Sequence, residues 1–127
     1  MVIPEAVLVF DRDADTVEMY GVGLELAGFR ACLANDDAQA FALLRAEHPS
    51  AVIAGVGPEA DTGWELIRSV RANNSTRDIP VVLLTGRTDP WIGRRAAELG
   101  CAALLVMPCL PDTLAAVVRQ SLETSAS

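Results

Sequence analysis

The chain has 127 residues, enough for one domain with its own core, and 51% of them are hydrophobic, which excludes a disordered polar segment. Seventeen acids against ten arginines and no lysine give a net charge of −7, which argues against gripping nucleic acid through its phosphates. The longest apolar runs are too short to cross a bilayer, and the first residues carry no basic leader pattern. Three scattered cysteines, Cys32, Cys101 and Cys109, fit reduced packing thiols and a cytoplasmic location.

Glu5 to Phe10 is a near-continuous apolar run, as expected of a strand buried on both faces of a parallel sheet. Asp13 or Asp15 then caps a helix reaching about Ala27, weakened by Gly21 and Gly23 and ended by Gly28. Phe29 to Ala34 reads as a second strand, and Asn35-Asp36-Asp37 opens a helix closed by His48-Pro49. Ala51 to Ala54 is a third strand ending in Gly55, followed by a Gly-Pro-rich loop to Gly63 and a helix to Ala72 carrying Trp64, Ile67 and Val70.

Pro80 to Leu84 is the fourth strand, with proline at its first residue where a missing donor is tolerated. Asp89 as N-cap and Pro90 at the first helical position start a helix to about Leu99. Ala102 to Val106 is the last strand, Met107-Pro108 a turn, Pro111 to Leu122 the last helix, and residues 124–127 a frayed tail after one domain spanning 1–123. Five strands alternating with five helices predict an α/β fold, a doubly wound parallel (βα)₅ sheet of flavodoxin-like order 2-1-3-4-5.

The segments AVLVFDRDADT, EHPSAVIAG, DTGWELIRSVRA, STRDIPVVLLTG and AAELGCAALLVMP, in this order and spacing, resemble the receiver domain of two-component response regulators. The resemblance implies an acidic pair holding Mg²⁺ after the first strand, a phosphoacceptor aspartate ending the third, and a hydroxyl and a lysine ending the fourth and fifth. Hard oxygen ligands suit Mg²⁺, and the ammonium and metal neutralise the transferring phosphoryl group. Carried onto this chain, the phosphoacceptor position falls on Gly55, which has no nucleophile. The acidic pair becomes Asp11 and Arg12, with Asp13 beside them. The lysine becomes Met107, before the usually cis Pro108, the switch aromatic becomes Leu104, and only Thr85 keeps the family's hydroxyl.

The resemblance therefore implies a degenerate receiver, not an enzyme and without metal or cofactor, that signals by protein–protein contact with a histidine kinase, an effector or another receiver. Arg12 reads better as a solvated arginine than as an internal cation replacing Mg²⁺. Asp61 is a poor substitute acceptor, Asp13 is a helix-start residue before it is a metal ligand, and lone His48 has no assigned role. In such domains the fourth helix, fifth strand and fifth helix commonly form a dimer or effector face. Trp91 and Ile92, beside Arg94 and Arg95, are the candidate partner surface here, with Trp91 either an exposed hot spot or a helix-start staple. The rivals are a flavodoxin-like domain binding a small molecule in a cleft of Asp11, Gly55, Gly57, Thr85 and Met107, and the receiver fragment of a longer regulator.

Overall fold

The computed structural model describes residues 3–57 and 63–126. Its elements run β1 (Ala6–Phe10), α1 (Ala14–Leu26), β2 (Arg30–Ala34), α2 (Asp37–Glu47), β3 (Ala51–Val56), α3 (Trp64–Ala72), β4 (Val81–Thr85), α4 (Pro90–Glu98), β5 (Ala103–Val106) and α5 (Pro111–Ala126). The strands form one parallel sheet in the order β2-β1-β3-β4-β5, as the alternation of elements predicts. The three central strands are buried at every residue, whereas the edge strands β2 and β5 are partly exposed. A strand covered on both faces needs apolar side chains in both directions, which is why these three read as unbroken hydrophobic runs.

Alternate residues of those strands feed two cores. Leu8, Phe10, Val52, Ala54 and Leu83 pack beneath α2, α3 and α4, while Val7, Val9, Ile53, Val82 and Leu84 pack beneath α1 and α5. The expected weakness of α1 at its glycines is offset by packing. A side chain at Gly23 would overlap Pro111 of α5, so this glycine lets the two helices meet. Asp13 caps α1 by accepting from the Asp15 N–H (3.1 Å), and Asp36 caps α2 by accepting from that of Gln39 (2.8 Å). Among the described residues no helix is long and apolar enough to cross a membrane.

Four sequence expectations are corrected. Strand β3 does not stop at Gly55 but continues to Val56, because Gly55 and Val56 pair with Leu84 and Thr85 of β4. Thr85 is accordingly inside β4. The residues read as a tail from Thr124 continue α5 to Ala126, where the Thr124 hydroxyl donates to the Gln120 carbonyl (3.0 Å) and prolongs the helical turn. Asp89 stands at the N-cap of α4, yet its carboxylate makes no capping bond and instead accepts from Arg87 Nε (2.8 Å).

Candidate functional site

The carboxyl ends of β1, β3 and β4 meet at one edge of the sheet, where open α/β folds place their chemistry. Register fixes the neighbours. Phe10 pairs with Ala54, so Asp11, one residue past β1, comes alongside Gly55, which in turn pairs with Leu84 just before Thr85. A Cβ built on Gly55 would overlap Asp11 Oδ2 and lie 2.7 Å from its Cγ. The Asp11 carboxylate thus occupies the space a side chain at position 55 would fill.

Two bonds hold Asp11 there. Its Oδ1 accepts from the Asp13 N–H (2.9 Å), and its own N–H donates to the Ala34 carbonyl (3.3 Å). Burial raises the pKa of the Asp11 carboxyl above the ordinary 3.8; the Asp13 N–H opposes that rise and the Asp13 charge adds to it. From the far side Gly63, at φ 80°, closes on Gly55: a side chain there would strike the Gly55 carbonyl oxygen. The cleft residues Asp11, Gly55 and Thr85 are brought together, but with the carboxylate where a ligand atom beside Gly55 would lie.

The remaining positions take structural roles. Thr85 is 1% exposed, and its hydroxyl accepts from the Arg87 N–H (3.1 Å), capping the loop after β4. Asp13 takes up the Asp15 N–H and the Thr16 hydroxyl, as a helix-start residue does. Arg12 is exposed and forms no ion pair among the described residues. Among those residues no three His, Cys, Asp or Glu side chains gather as a metal site. Met107, joined to Pro108 by a cis peptide, packs partly buried against the core under α1 and α5, and Leu104 packs against the opposite core. His48 is exposed at the C-cap of α2, and Asp61 lies outside the described residues.

The partner surface expected at α4 is rearranged. Ile92 is 1% exposed and belongs to the core, because only one of two adjacent helical residues can face outward. Trp91 is half-buried and lies on Trp64 of α3, ring centroids 6.1 Å apart at 42°. Arg95 places its guanidinium 5.3 Å from the centre of the Trp64 ring, while Arg94 points to solvent. The face Trp91 helps build is therefore α3–α4 rather than α4–β5–α5. Reading one helix at a time missed Trp64, since the two indoles are far apart in the chain and only the order of strands brings α3 beside α4.

Sequence reasoning also missed a groove of about 590 Å³ between α1 and the start of α5. Met19, Val22, Leu26 and Leu110 are exposed along it, rimmed by Asp15, Glu18 and Asp112. The signal was available as an apolar stripe at helical spacing on α1, with Val17, Tyr20 and Leu24 already supplying the inward face.

A family model for the response regulator receiver domain matches residues 7–119. The chain is 26% identical over 117 residues to the phosphate regulon transcriptional regulatory protein PhoB of Pseudomonas aeruginosa, covering 92% of this chain and 51% of that one. It is 30% identical over 118 residues to the DNA-binding response regulator MtrA of Mycobacterium tuberculosis, covering 93% and 50%. It thus spans about half the length of the curated relatives it matches. Among solved structures it is similar to the chemotaxis protein CheY4 of Vibrio cholerae, with a TM-score of 0.86 at 25% identity over 94% of this chain and 99% of that one. A response regulator from Thermotoga maritima gives 0.83 at 25% identity, covering 95% and 99%.

Proposed function

Since the chain belongs to the response regulator receiver domain family, we propose that it is a receiver that has lost phosphoryl acceptance and signals through protein–protein contact alone. The observation that carries this reading is the overlap of the Asp11 carboxylate with the side-chain space of Gly55. On the family's layout that space belongs to the phosphoacceptor. Here it holds a carboxylate turned into the fold and bonded to the Asp13 N–H. Arg12 in place of the second acid, and the absence of any lysine, support the same reading: neither a divalent metal nor an ammonium would balance the charge of a phosphoryl group.

The domain catalyses no reaction of its own in this proposal. Its partners are signalling proteins of the two-component kind, a kinase, an effector or another receiver. The acidic charge of the chain favours such partners over nucleic acid, and the exposed apolar groove along α1 is the kind of surface a protein partner covers. With no phosphoryl group to bias it, the domain responds only to partners that bind its conformations with different affinity.

The test is treatment with acetyl phosphate, or with beryllofluoride, in the presence of Mg²⁺, followed by intact mass and backbone amide spectra. The expected result is unchanged mass and no Mg²⁺-dependent shifts around Asp11, Gly55 and Thr85. A stoichiometric acyl-phosphate adduct would overturn the proposal and assign the acceptor role to another carboxylate.

A further inference from the structure

We propose that the α3–α4 face, centred on Trp91, docks an acidic segment of a partner protein; the inference rests on the contact-only function above and names the partner's chemistry. Arg68, Trp91, Arg94, Arg95, Glu98 and Leu99 line an open cavity of about 350 Å³ between the two helices. Three guanidiniums against Glu98 in the lining and Glu65 on the rim leave this patch net positive on a chain of net charge −7.

The patch has the anatomy of a hot spot. A half-buried indole forms its floor, backed by the fully buried Trp64, so a docked side chain would meet a rigid aromatic surface. The Arg95 guanidinium carbon lies 5.3 Å from the centre of the Trp64 ring, and Arg95 forms no ion pair among the described residues, so its donors remain open to a carboxylate. Arg68 is spanned by Glu65 at 2.7 Å on the exposed rim, a pair that an incoming carboxylate can exchange at little cost. Arg94 has no ion-pair partner among the described residues. The chemistry that fits is a carboxylate-rich strand or helix with an apolar or aromatic residue between its acids, the carboxylates on the guanidiniums and the apolar group on Trp91.

A second copy of this chain does not fit the same way. Two such faces meeting about a twofold axis would bring guanidiniums together, and like charges across an interface are costly.

Both tryptophans of the chain lie at this face, so intrinsic fluorescence reports on it without a label. The probe is an acidic peptide with glutamates on both sides of a central Leu-Phe pair, titrated into the intact 127-residue chain, with its glutamine counterpart as comparison. The acidic peptide is expected to bind saturably, to protect Trp91 from acrylamide quenching, and to weaken as salt is raised. Arg94→Glu, an exposed position, should loosen binding by about tenfold or more, while the same charge change at exposed Arg45 on α2 should leave it unchanged. Arg94→Gln, read by the same titration, covers the case in which Arg94→Glu does not fold.

Equal binding of the glutamine peptide, indifference to both Arg94 variants, no binding, or self-association through this face would overturn the proposal. Phosphoryl uptake in the mass experiment would end the contact-only reading on its own evidence. Failure of the peptide titration without phosphoryl uptake would end only the assignment of this face.

Discussion

Gly55 and Asp11 share a single volume, so what happens at one position is decided at the other. Gly55→Ala puts a methyl group where Asp11 Oδ2 lies, driving the carboxylate outward and breaking its bond from the Asp13 N–H. That substitution should cost about 1 kcal/mol, the usual worth of such a bond. With Asp11→Ala already in place the same methyl group meets only the Cβ remaining at position 11, 3.1 Å away, and alanine in a strand interior should then gain up to about 1 kcal/mol over glycine. A double-mutant cycle by urea unfolding should therefore return a coupling of about 1–2 kcal/mol. A coupling near zero would mean that the two side-chain spaces are independent.

Helices α3 and α4 are held in register at the opposite end of the sheet by one side chain. Arg71, near the end of α3, donates to the carbonyls of Leu99 (2.8 Å), Arg77 (2.9 Å), Ile79 (2.7 Å) and Gly100 (3.0 Å), tying the loops before β4 and β5 to its own helix. A lysine carries the same charge but cannot spread donors over carbonyls in separate loops. Arg71→Lys should destabilise the domain by about 2–4 kcal/mol in chemical denaturation, and a loss below about 0.5 kcal/mol would show that water replaces those bonds freely. At this level the sequence reads well where helix ends carry their own chemistry, as at Asp13 and Asp36. It reads poorly where neighbours decide, as at Asp89, whose carboxylate turns to Arg87, and at the indoles of Trp64 and Trp91, whose meeting depends on the packing of α3 beside α4.

Global stability should carry the signature of Asp11 in its dependence on pH. A carboxyl whose pKa is raised by folding binds more protons folded than unfolded, so its contribution is fully present below 3.8 and is lost as pH rises through the raised value. Asp11→Asn keeps an oxygen for the Asp13 N–H but does not ionise. It should therefore gain on the natural chain as pH climbs from below 3.8 and level off above the raised pKa. A difference independent of pH, or one of opposite sign, would exclude this account. The strand order and both cores were legible because buried parallel strands must be apolar throughout, and the mouth followed from where those strands end. That Asp11 turns inward over Gly55, and that Ile92 rather than Trp91 enters the core, depends on contacts no local pattern encodes. On the proposed reading, the inward turn of Asp11 also makes the loss of function a ratchet. An acid introduced at position 55 would meet a clash with the half-buried Asp11 carboxylate, and Arg12 and Met107 would still stand where the resemblance implies an acid and a lysine. On that reading no single one of these replacements would bring back phosphoryl acceptance; only all of them together would, so the positions are coupled rather than additive.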